Sequence, residues 1–89
     1  MHTDVAVSYN SIGKVYDLQG EYHKALEAFE KALEIRYQIF GANHALVNDL
    51  ANSVYSVYQK LLPQDASILP RYEEFMKNIT SIATINKDK

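Results

Sequence analysis

No cysteine occurs in the chain, which excludes a disulfide framework and a thiolate metal site as supports for the fold. That usage suits a reducing compartment, and the expected location is cytoplasmic. No apolar run approaches the ~18 to 20 residues of a membrane span, and residues 1–20 lack the basic start and apolar centre of a signal peptide. Nor is there an excess of one charge. Nine basic against eleven acidic residues give a formal net charge of -2, too little field to draw the chain onto nucleic acid or anionic lipid. Glycine and proline are scarce, three and two in 89 residues. Ala, Leu, Glu and Lys crowd the stretch from Gly20 to Phe40, a composition of helices joined by tight turns. A chain this short buries roughly 60 to 65% of its unfolded surface, so stability must come from efficient packing or from association.

What is present is helical periodicity. Val5, Tyr9, Ile12, Val15 and Tyr16 fall three or four apart, predicting a half-buried helix from Asp4 to Leu18 with Thr3 or Asp4 as its cap and Gln19-Gly20 as its stop. A second helix carries Tyr22, Ala25, Leu26, Phe29, Ala32, Leu33, Arg36, Tyr37 and Phe40 on one stripe, with Glu27, Glu30, Lys31 and Glu34 on the outer side. A third spans about Leu46 to Leu62 and buries Val47, Leu50, Val54, Val57, Tyr58 and Leu61 until Pro63 forbids its continuation. The loop 63–67 offers two caps. A fourth helix admits Pro70 in its first turn and carries Ile68, Tyr72, Phe75, Met76, Ile79, Ile82 and Ala83, leaving 86–89 as a polar tail.

The chain repeats itself. A shift of forty-two residues lays His2 on His44, Val5 on Val47, Asn10-Ser11 on Asn52-Ser53 and Val15-Tyr16 on Val57-Tyr58. Repetition at this period marks a solenoid, in which each helix pair stacks on its neighbour because it cannot bury its faces alone. The motif Tyr9-x-x-Ile12-Gly13-x-x-Tyr16, Gly20-x-Tyr22, Ala25-x-x-x-Phe29 and Ala32 resembles a tetratricopeptide repeat. With Ala25-Leu-Glu-Ala-Phe-Glu-Lys-Ala-Leu-Glu-Ile-Arg36 and Gly41-x-x-His44, it looks like the long repeat of kinesin light chains. The small residues Gly13, Ala25 and Ala32 stand where two antiparallel helices must approach, and Tyr16, Tyr22 and Phe29 fill the space around them.

The resemblance implies an all-α fold: antiparallel helix hairpins stacked as a short right-handed α-solenoid of about four helices and two repeats. It would form one domain over 1–85, with a well-matched repeat at 4–41 and a degenerate terminal repeat at 44–85. In the second unit Tyr55 replaces the seam glycine, so the fourth helix should stand away from the third or be rotated on it. The resemblance also implies a binding module, with a peptide or protein partner lying in a concave groove lined by the first helix of each pair. Carried over, the lining is Asn10, Ser11, Lys14 and Asp17 on helix one and Asn52, Ser53, Ser56 and Gln59 on helix three. Asn10 and Asn52 could clamp a peptide backbone, since an amide both donates and accepts. Lys14 and Lys60 could meet an acidic peptide, but the chain lacks the several basic groove residues of repeats that grip a C-terminal carboxylate, which disfavours that subclass, and isolated lysines usually just solvate a helix.

No nucleophile arrangement and no phosphate loop is present, and His2 and His44 recur as helix caps rather than as catalysts, so no enzyme is expected. His23 and Glu27 share a face four residues apart but have no third ligand, so no metal and no cofactor is expected. Val5, Tyr9, Ile12 and Tyr16 would face a preceding repeat. With none there, the alternative role is a self-associating unit that forms a homodimer across that edge.

Overall fold

The computed structural model describes residues 3–41 and 44–87, with side chains placed for 4–41 and 44–78. It contains helices α1 (Thr3–Leu18), α2 (Tyr22–Phe40), α3 (Ala45–Leu61) and α4 (Leu69–Lys87), with a short 3-10 turn at Ala66–Ile68 ahead of α4. Among the described residues there is no strand, and the helices pack as a small repeat stack.

The turns explain the boundaries. At the end of α1, Gly20 adopts φ 77°, its N–H bonds the Asp17 carbonyl at 3.1 Å and the Glu21 N–H bonds the Tyr16 carbonyl at 2.9 Å. This paired arrangement satisfies carbonyls that the helix leaves open, and the positive φ favours glycine. Gly41, at φ 78°, closes α2 by donating to the Tyr37 carbonyl at 2.8 Å. His44 caps α3: its Nδ1 accepts from the Leu46 N–H at 3.1 Å, and its ring stacks on Phe40 with centroids 4.2 Å apart. His2, its counterpart in the sequence, lies outside the described residues.

Two sequence expectations shift at the helix ends and one is narrowed. Thr3 and Asp4 are already helical, so neither caps α1, and Asp4 instead places its charge in the first turn, where the helix dipole favours it. Of the two caps offered by the loop 63–67, Asp65 is used, accepting from the Ser67 N–H at 3.0 Å. At the C-terminus, α4 continues through Asn86 and Lys87, which shortens the expected tail.

Helix α2 occupies the middle, flanked by α1 and α3. Its junction with α1 is tight at Gly13, where a β-carbon would lie 2.8 Å from two atoms of the Phe29 ring. The main core joins Ala25, Leu26, Phe29 and Ala32 of α2 to Leu50, Val54, Val57, Tyr58 and Leu61 of α3, with Ile68 and Phe75 closing it. Tyr37, placed on the apolar stripe by its spacing, is 47% exposed, while Arg36 beside it is only 7% exposed.

The pairs differ as Tyr55 suggests. Where α1 and α2 meet through glycine, the backbones of α3 and α4 hardly approach each other. Rings fill the interval: Tyr72 stands 6.4 Å from Tyr55 and 5.3 Å from Tyr58, and Phe75 stands 5.3 Å from Tyr58 between centroids. Glu30, expected on the solvated side of α2, is the polar anchor of this junction. It accepts from the buried Tyr58 hydroxyl at 3.2 Å and from Arg71 Nη2 at 2.7 Å.

Candidate functional site

Because α1 and α3 both rest on α2, a concavity opens between them. It has a volume of about 200 Å³ and is lined by Asn10 and Lys14 of α1, Leu46, Asp49, Leu50 and Ser53 of α3, and Arg36 from the end of α2 beneath. Leu50, 1% exposed, gives it a fixed apolar floor. Ser53 donates its hydroxyl to the Asp49 carbonyl at 3.3 Å, one turn back along α3. Further toward the C-terminal ends of both helices, Lys60 Nζ bridges to the two Asp17 oxygens at 2.9 and 3.2 Å. The same ammonium lies 5.7 Å from the centre of the Tyr22 ring. An exposed pair of this kind is worth at most about 1 kcal/mol, so it limits the groove at one end rather than holding the helices together.

The residues expected to line the groove divide into two groups. Asn10, Lys14 and Ser53 meet around the concavity, and Asp17 stands at its closed end. Ser11, Asn52, Ser56 and Gln59 do not join them. Ser11 shares the exposed side of α1 with Val15 and Leu18. Asn52 and Ser56 are exposed on α3, and Gln59 on the same side turns to α4, donating to the Tyr72 hydroxyl at 3.2 Å. The reason is geometric. Neighbouring first helices offer opposite flanks to the space between them, so the wall from α3 uses Asp49 and Ser53 while the wall from α1 uses Asn10 and Lys14. Under the shift of forty-two, Asn10 corresponds to Asn52, which is exposed on α3 away from the concavity.

Asp49 and Arg36 escaped the sequence reading. Asp49 could have been found as the residue one turn before Ser53. Arg36 could not, since its position on the α2 stripe reads as core. Its Nη1 donates to the Leu46 carbonyl at 3.4 Å.

The open side of α1 carries Val5, Ile12, Val15 and Leu18, exposed at 40, 45, 52 and 90%. Tyr9 and Tyr16, expected with them, instead pack against the core, and the Lys31 and Lys24 ammonium groups each lie 5.6 Å from their ring centres. Ile12, assigned by its motif to packing between helices, belongs to the open side. His23 Nε2 lies 3.0 Å from Asp65, tying the start of α2 to the loop before α4. Among the described residues, no group of three potential metal ligands occurs. Also among them, no helix is long and apolar enough to cross a membrane.

Residues 5–46 match the family described as Tetratricopeptide repeat. No curated protein and no solved structure matches the chain. The matched segment runs from the first turn of α1, through the Gly13–Phe29 junction and all of α2, to the start of α3, so it is the hairpin that the structure shows to be tightly seamed. The chain therefore carries a tetratricopeptide repeat at residues 5–46, the unit of a family of protein–protein interaction modules.

Proposed function

We propose that the chain binds an extended segment of a partner protein in the groove between α1 and α3. The observation that carries this reading is the convergence of Asn10, Lys14, Asp49 and Ser53, polar groups from two helices, around a concavity whose floor is buried and fixed. Such a site supplies hydrogen bonds to a peptide backbone along its walls and apolar contact below. In this reading, 44–85 is a degenerate terminal repeat of one domain spanning 1–85, working in the cytoplasm. The repeat is of the long, kinesin light chain-like subtype. The family match covers forty-two residues, the same length as the internal shift, which supports that subtype. No catalytic role is assigned, and His23 is engaged structurally with Asp65.

The test is quantitative capture of partners from the native cell by the wild type, by Asn10→Ala/Ser53→Ala and by Asn52→Ala/Ser56→Ala. The groove variant should lose its partner at unchanged helicity and mass, while the second variant retains it. Loss in the second variant alone would contradict the assignment.

A second reading has its own observation. The exposed row Val5, Ile12, Val15 and Leu18 runs the length of α1, and a homodimer across this edge would cover it.

A further inference from the structure

His44 is engaged on two sides at the start of α3. Its Nδ1 accepts from the Leu46 N–H at 3.1 Å, and its ring stacks on Phe40 at the end of α2, with centroids 4.2 Å apart and 22° between the planes. The backbone there is extended, φ -140° and ψ 139°, and the His44 carbonyl is occupied by the Val47 and Asn48 N–H groups, each at 3.1 Å. The ring nitrogen therefore serves where a Ser, Thr, Asp or Asn oxygen ordinarily caps a helix. Near neutral pH an imidazole nitrogen differs from those oxygens in one respect. It accepts only while it carries no proton, and histidine is the side chain that ordinarily changes its charge between pH 5 and 8.

We propose that His44 is an acid-sensitive latch on the first turn of α3: without a proton on Nδ1 it holds the groove wall in place, and with one it releases that wall. A proton on Nδ1 turns the acceptor into a donor facing the Leu46 N–H, so two donors point at one another. Stacking on Phe40 keeps the ring from turning away. The added charge also lies at the positive end of the α3 dipole. The charged groups around this turn are Arg36 of α2, which donates to the Leu46 carbonyl at 3.4 Å, Lys14 of α1, and Asp49 one turn into α3. Two are positive and one is negative, so the turn offers a protonated ring no net counter-charge. Leu46, Asp49 and Arg36 line the concavity, which makes the turn that His44 controls a part of its wall. The bearing on partner binding rests on that groove being the binding face; the latch itself does not. His23, the other described histidine, stands at the start of α2 with Asp65 3.0 Å away, and a proton strengthens that contact. Acid loosening at Leu46 therefore belongs to His44.

The test follows the Leu46 amide and the His44 ring nitrogens by NMR between pH 8 and pH 5, in the full wild-type chain, His44→Asn and His44→Ala. At pH 8 the Leu46 amide should be equally protected from hydrogen exchange, relative to its unfolded rate, in the wild type and His44→Asn, with Nδ1 of the wild type unprotonated. At pH 5 protection in the wild type should fall about fivefold, the factor a helix cap of ordinary strength supplies, to the level His44→Ala shows throughout, while His44→Asn holds. Partner capture at both pH values reads the groove, and only the wild type should lose partner at pH 5. A Leu46 amide equally protected at pH 8 and pH 5, or one that falls alike in His44→Asn, would overturn the latch. So would a protonated Nδ1 at pH 8, which is read without any variant. An intact Leu46 response with acid-independent capture would overturn the control of binding and leave the latch, whereas unchanged capture by Asn10→Ala/Ser53→Ala at pH 8 would remove the groove reading instead.

Discussion

Gly13 sets how closely α1 and α2 approach, and one added carbon reverses the balance. Alanine is the better helix former by about 1 kcal/mol. Against that gain, its β-carbon would sit 2.8 Å from the ring of Phe29, which is 2% exposed and has nowhere to retreat. Overpacking of this kind costs about 1 to 3 kcal/mol. Gly13→Ala should therefore lower stability by about 1 kcal/mol in urea denaturation, and pairing it with Phe29→Leu should recover part of that loss. Tyr58 offers a second residue-level test. Burial and the neighbouring Glu30 carboxylate push its hydroxyl up to about 12 from an ordinary 10.0. The folded chain therefore keeps the proton that the unfolded chain releases. The stabilisation is complete below pH 10 and disappears as pH rises toward 12. At neutral pH, Tyr58→Phe should cost about 1 kcal/mol through the lost bond to Glu30. Above pH 10 the gap between the two proteins should close, and a constant gap would contradict this placement.

Between elements, the loop before α4 hangs on Asp65. Hydrogen bonds from the Ser67 hydroxyl and N–H, followed by the His23 charge, hold its carboxyl below the usual value of 3.8. A lowered value means the cap is fully present above pH 3.8 and is lost as pH falls through the value it has in the folded chain. Slow exchange of the Ser67 amide should accordingly persist to below pH 3.8, and Asp65→Ala should abolish it at every pH. The elements also show what could be read in advance. The α3 stripe Val47, Leu50, Val54, Val57, Tyr58 and Leu61 is buried as its period requires, because spacing alone decides which residues share a helix face. Tyr55 in place of glycine foretold the wider spacing of α3 and α4. The shape of the concavity was half legible. Asn10, Lys14 and Ser53 line it, but copying positions from the family's first helices also placed Ser11, Asn52, Ser56 and Gln59 there, and a gap between two parallel helices is walled by opposite flanks. Arg36 was invisible because a long side chain at a core position reads as packing until its neighbours are known.

For the whole molecule, the open row on α1 raises the matter of self-association. Full burial of one aliphatic side chain is worth roughly 1.5 to 3 kcal/mol, so four of them exceed what scattered surface residues supply. Ile12→Glu should leave helicity unchanged and shift any dimer seen by light scattering to monomer at matched concentration. A wild type that is monomeric across the whole range would remove that edge from the account. The groove does not depend on the outcome, since Val5, Ile12 and Val15 lie outside it.

The central claim is where a partner lies, and an amide NMR titration of the full chain with a peptide segment of its captured partner tests it most directly. The account predicts that shifts concentrate on Asn10, Lys14, Leu46, Asp49 and Ser53 and leave Asn52 and Ser56 unmoved. Shifts confined to Val5, Ile12 and Val15, or to Asn52 and Ser56, would contradict it.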